Sequence, residues 1–92
     1  MDGNEVQYPN NVQFQTAFIL QKILSSIEEL GGQKEDILRI RMFVTNIQDW
    51  EQIGTALRTF FGSHRPAATM VEVQALIQPE LLIEIEADAN IH

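Results

Sequence analysis

The apolar residues of this chain keep one period, drop it for another, and then return to the first. Phe14, Phe18, Leu20, Ile23, Leu24, Ile27 and Leu30 recur at helical spacing. From Ile37 to Ile47 the period becomes two, with Leu38, Ile40, Met42 and Val44 on one side and Arg39, Arg41, Phe43 and Thr45 on the other. Trp50, Ile53, Leu57, Phe60 and Phe61 restore the helical stripe. Two more strands follow, over 67–77 and 81–89. The order α-β-α-β-β predicts an α+β fold, and 92 residues read as a single domain, 1–92.

Local signals place the boundaries. Asn10 or Asn11 can cap the first helix, and Gly31-Gly32 supplies a left-handed stop. Asp49 reads as the N-cap of the second helix, with Gln52 completing a capping box, and Gly62 ends it. Residues 62–66 form a turn, and Gln78-Pro79-Glu80 joins the last two strands. Residues 1–10 read as a lead-in loop or a short strand near Glu5–Tyr8.

The strand faces sort into two sets. Leu38/Ile40/Met42/Val44, Val71/Val73/Ala75 and Leu81/Ile83/Ile85/Ala87 form an apolar face for both helices to cover. Arg39/Arg41/Phe43/Thr45, Ala68/Met70/Glu72/Gln74 and Glu84/Glu86/Asp88 form the opposite face, and no element remains to cover it. Phe43 and Met70 among opposite charges suit a second subunit, so self-association through this face is expected.

Composition excludes several function classes. Thirteen Asp+Glu against six Lys+Arg give a net charge of −7, a poor match for nucleic acid. No apolar run approaches the ~18 residues of a membrane helix, so no membrane partner is expected. Met1-Asp2-Gly3-Asn4-Glu5 carries neither a basic region nor an apolar run, which sets the expectation of a cytoplasmic protein. There is no cysteine, and His64 and His92 are isolated, so no metal site is expected. Glu84, Glu86 and Asp88 stand ~7 Å apart along a strand, too far for one ion to bridge readily. Gly31-Gly32 ends a helix instead of opening one, so it is not a phosphate loop.

Several motifs together resemble a known family. They are Glu35-Asp36-Ile37, Arg41-Met42-Phe43-Val44-Thr45-Asn46, Asp49-Trp50, Phe61-Gly62, Arg65-Pro66-Ala67-Ala68-Thr69-Met70-Val71-Glu72-Val73, Leu76 and Glu84-Ile85-Glu86-Ala87. In this order and spacing they resemble the reactive-intermediate deaminase family (Rid, or YjgF-like proteins), from about Gln13 onward, with Gln15 fitting the family's first helix. The resemblance implies a chorismate-mutase-like α+β fold in which two helices pack on one face of the sheet. It also implies a homotrimer with small-molecule clefts between subunits, and no cofactor.

Active members hydrolyse enamines and imines such as 2-aminoacrylate to a keto acid and ammonia. The arginine that grips the substrate carboxylate falls at Ala68 here, and an asparagine of helix two falls near Gly54. The acidic residue of the last strand is retained as Glu84. The resemblance therefore implies cleft positions Glu84, Ala68, Met70, Thr69 and Gly54, with no catalytic residue assigned.

Without the arginine, the expected function is small-metabolite binding with no imine deaminase activity. The alternative is an active deaminase in which Arg39, Arg41 or Arg65 replaces the anchor. Ribonuclease or translation-inhibitor-like activity is the weaker alternative. Glu84 either orients water in a cleft or pairs with Arg39 or Arg41. The family opens with strands carrying a Ser-Gly-Gln-type segment that has no counterpart here. The sheet is therefore expected to be narrower than the family's, or completed by a neighbouring chain.

Overall fold

A computed structural model describes residues 10–91. The expectation of a short strand near Glu5–Tyr8 lies outside the described residues. Helix α1 runs Val12–Glu29, strand β1 Ile37–Val44, helix α2 Trp50–Phe61, strand β2 Ala67–Glu72 and strand β3 Ile83–Ala89. Single 3-10 turns at Lys34–Asp36 and Ile47–Asp49 precede β1 and α2. The sheet order is β2-β1-β3, with β1 parallel to β2 and antiparallel to β3. A parallel pair needs a crossover, and α2 is that crossover.

Both helices cover one face of the sheet, as expected. Leu20 and Ile27 of α1, Ile53, Phe60 and Phe61 of α2, and Ile40, Met42, Val44, Ile83 and Ile85 of the sheet form one buried cluster. Asn11 caps α1, its Oδ1 accepting from the Phe14 amide at 3.1 Å. At the other end the Gly31 amide donates to Glu28 O and the Gly32 amide to Ile27 O, with Gly31 at φ +89°. That is a Schellman stop, which needs the left-handed residue glycine supplies. At the C-terminus of α2, Lys34 Nζ donates to the Phe60 carbonyl at 2.7 Å, satisfying an acceptor with no partner in its own helix.

Several local expectations are corrected. Asp49 makes no side-chain cap bond; Asn46, one turn earlier, accepts from the Gln48 amide instead. Trp50 is 57% exposed and Leu30 73% exposed, and Phe14 is exposed too, so these residues lie outside the buried stripes. The last two strands are shorter than their apolar runs, ending at Glu72 and starting at Ile83.

Two corrections concern the sheet faces. Leu38 is 56% exposed because the β1–β3 pairing is irregular between Ile37 and Arg39; Ile37 takes the buried position. The phase of β2 is the reverse of the one expected. Its register pairs Ile40 with Ala68, Met42 with Met70 and Val44 with Glu72. Registered neighbours share a face, so Ala68, Met70 and Glu72 stand on the helix side, and Met70 packs against the core. Thr69 and Val71 join Arg41 and Phe43 on the open side. Alternation fixes the period of an edge strand, but its phase depends on the partner strand.

Candidate functional site

Gly62 ends α2 at φ +62°, its amide donating to Arg58 O, while the His64 amide donates to Phe61 O. The chain thereby folds back over the end of α2 before entering β2. His64 fastens this turn to the sheet through a 2.8 Å bond to the Ile37 carbonyl. A carbonyl only accepts, so Nε2 carries the hydrogen and Nδ1 remains available. The ring also meets Phe61 edge-on, with centroids 5.9 Å apart.

Between this turn, α2 and the start of β2 lies a pocket of about 140 Å³. Arg58, His64 and Arg65 line it from one side, and Ile40, Leu57 and Ala68 give it an apolar wall. Two of the chain's six Lys+Arg residues therefore meet at one small cavity. A larger groove of about 310 Å³ runs along α1 beside Leu81, but among the described residues Lys22 is its only charged lining residue.

Arg58 was not anticipated as a site residue. It lies one helical turn after Gly54, and a Cβ on Gly54 would come within 3.3 Å of Arg58 Nη1. Its Nη2 donates to Thr55 Oγ1 at 3.2 Å, and that hydroxyl donates to the Glu51 carbonyl at 3.1 Å. The i, i+4 spacing of Gly54 and Arg58 was visible in the sequence. Only the parallel register brings Ala68 to the same cavity.

The other candidates are divided between the two faces. Ala68 and Arg65 line the pocket, and Met70 shares their side of the sheet. Thr69 stands opposite Arg41 on the open face, and Glu84 stands opposite Phe43. The expectation that Glu84 and Ala68 share a face is therefore corrected. Arg39 and Arg41 are also on the open face, which removes them as replacements for an anchor at Ala68 within one chain.

Arg41 is already engaged. It forms a two-pronged pair with Asp88, Nη1–Oδ2 at 2.9 Å and Nη2–Oδ1 at 3.2 Å, and reaches Glu86 through Nε at 3.1 Å. The hydrogen bonds and charge of Arg41 hold the Asp88 carboxyl below the ordinary aspartate range, and the same pairing raises the Arg41 pKa further. Among the described residues Glu84 makes no ion pair, so its pairing with Arg39 or Arg41 is not seen.

Comparison with known proteins adds to this geometry. The family profile described as Endoribonuclease L-PSP matches residues 1–91. A RutC family protein of Pyrococcus abyssi is 28% identical over 79 residues, covering 86% of this chain and 61% of that protein. The chain thus spans less than two thirds of that relative's length. A Mycobacterium tuberculosis member of the YjgF/YER057c/UK114 family superposes with a TM-score of 0.86 at 40% identity, covering 89% of this chain and 70% of that one. A Yersinia pestis protein of the Rid family, of unknown function, gives 0.87 at 31% identity, covering 97% and 69%. The YjgF gene product of E. coli gives 0.82 at 30% identity, covering 90% and 67%.

Proposed function

This chain is a Rid/YjgF-like member of the Endoribonuclease L-PSP family, and from that premise we propose that it is a cytoplasmic homo-oligomer, a trimer, binding a small metabolite at clefts between its subunits without imine deaminase activity. The observation that carries this reading is the place of Ala68. Its methyl lines a small pocket whose polar side chains, Arg58, His64 and Arg65, come from α2 and the following turn. A methyl cannot make the two-pronged carboxylate contact that the family resemblance assigns to an arginine here.

Self-association is supported by the face that no helix covers. Phe43 and Val71 are registered neighbours there, flanked by Arg41, Glu86 and Asp88. Paired charges around a half-buried Phe43 and an exposed Val71 suit a subunit interface. Ribonuclease activity gains no support from this face, because Glu84, Glu86 and Asp88 would repel a phosphate backbone.

Two measurements test the reading. Light scattering at micromolar concentration should give a multiple of 10.5 kDa; the mass of one chain refutes the oligomer. Coupled ammonia release from 2-aminoacrylate should be at background for the wild type and rise in Ala68→Arg. Rapid wild-type turnover would refute the loss of activity.

A further inference from the structure

We infer that Glu84 of one copy pairs with Arg39 of a neighbouring copy across the open face of the sheet. This rests on the self-association reading above and adds the two residues that fix how one copy sits on the next.

The charged side chains of that face are Arg39 and Arg41 on β1, with Glu84, Glu86 and Asp88 on β3. Arg41, Glu86 and Asp88 are matched within the chain, because Arg41 holds Glu86 and both oxygens of Asp88. Arg39 and Glu84 are exposed, and among the described residues neither is in an ion pair. They are of opposite sign, yet the fold keeps them apart. Arg39 is registered with Asp88 and Glu84 with Phe43, so their rows lie four residues apart along β1, roughly 13 Å. A second copy can bring together what one chain cannot.

The apolar groups are graded in the same sense. Half-buried Phe43 and exposed Val71 share the row of Glu84, whereas the row of Arg39 carries the small Ala67. The face is therefore polar along the strands, with an anion and an apolar pair at one end and a cation at the other. Setting the cation end of one copy on the anion end of the next brings Arg39 to Glu84. Its guanidinium then also meets the neighbour's Phe43, an aromatic surface suited to it. Such a head-to-tail contact closes into a ring when repeated, as a trimer requires. Joining like ends would instead set Glu84 against Glu84, which like-charge repulsion opposes. An exposed ion pair adds little affinity in water. At an interface its larger effect is to select register, because the wrong juxtaposition costs more than the right one gains.

The test is the self-dissociation constant of the full chain, read by sedimentation equilibrium, for charge reversals at the two positions. Arg39→Glu and Glu84→Arg each set like charges together and should raise the constant about tenfold or more. The Arg39→Glu/Glu84→Arg double variant keeps the net charge of −7 and should return close to the wild-type constant. Mixing the two single variants should give heavier species than either alone, because each supplies the sign the other lacks. Urea midpoints of the single variants should stay near the wild type, since both side chains are exposed. Wild-type association that neither reversal weakens overturns the pair and leaves self-association standing. A double variant no better than the single ones does the same. A wild type that sediments as one 10.5 kDa chain at every concentration overturns the self-association reading as well.

Discussion

Ile40 and Ala68 stand opposite each other in the parallel β1–β2 ladder, and Ile40 is only 1% exposed. The Ala68 methyl therefore belongs to the helix side of the sheet, together with Met70. Thr69 and Val71 belong to the open side. This register brings Ala68 to Arg58 and separates it from Glu84, so one chain does not gather all the family positions at one site.

The same register predicts opposite outcomes for adjacent substitutions. Val71→Asp should leave the fold intact, judged by far-ultraviolet circular dichroism, but reduce the scattering mass toward 10.5 kDa. Met70→Asp should cost about 2 kcal/mol or more in urea denaturation, because its carboxylate would enter the packed side. A Met70→Asp protein that folds normally and dissociates would show the faces to be exchanged.

Gln15 is 2% exposed although it is polar and sits on α1. Its Nε2 donates to the Glu80 carbonyl at 2.7 Å, and its Oε1 accepts from the Leu82 amide at 2.8 Å. The amide thus acts as a short piece of strand, pinning the segment that leads into β3. Gln15→Glu keeps the size but turns the donor into an acceptor facing a carbonyl. A loss of about 2–3 kcal/mol in urea denaturation is expected, with faster hydrogen exchange at the Leu82 amide. Gln15→Leu should cost a similar amount, since it leaves the Glu80 and Leu82 groups without this partner.

Much of the architecture was legible because the periods were strong. The stripe around Leu20 and Ile27, the cap at Asn11 and the stop at Gly31 each specify α1 locally. The phase of β2 was not legible. Met70 and Val71 are both apolar and Ala67-Ala68 are both small, so alternation alone does not say which set faces the helices. Leu38 was misplaced because an irregular pairing leaves no mark on the apolar pattern. Trp50 was misplaced because residue type alone does not mark where a helical stripe meets solvent. Ala68 and Gly54 were identifiable as family positions by resemblance. Arg58 was not, because it meets Ala68 at one pocket only once the β1–α2–β2 crossover has formed.

The Arg41–Asp88 pair predicts a pH signature. Asp88 is held below the ordinary aspartate range, first by its hydrogen bonds to Arg41 and then by that residue's charge, with a smaller contribution from Arg39. A depressed folded-state pKa adds stability that is fully present above the ordinary aspartate range. That stability is lost as pH falls through the depressed value. Arg41→Gln should move the Asp88 carboxyl upward toward the ordinary range in a carbon-detected NMR titration. High salt should move the wild-type value the same way, because both groups are exposed. An Asp88 titration unchanged by Arg41→Gln would refute the pairing.

The two glycines after α1 are needed for different reasons, and alanine substitutions should separate them. Gly31 has φ +89° with open space where a Cβ would stand, so Gly31→Ala meets only backbone strain, about 1–2 kcal/mol. Asparagine tolerates that conformation better, so Gly31→Asn should recover part of the loss. Gly32 lacks this backbone requirement but has no room. Its Cβ would come within 2.7 Å of Ile91 Cγ1 and 2.8 Å of Ile27 Cγ2. Ile27 is a buried core residue and Ile91 packs against the same cluster, so Gly32→Ala forces repacking at about 1–3 kcal/mol. Gly32→Asn should be worse than Gly32→Ala, the reverse of the order at Gly31. Trimming the neighbour in a Gly32→Ala/Ile91→Val double variant should restore part of the urea midpoint, whereas Ile91→Val should do nothing for Gly31→Ala. Equal responses of the two glycines to asparagine and to Ile91→Val would show that a single constraint governs both.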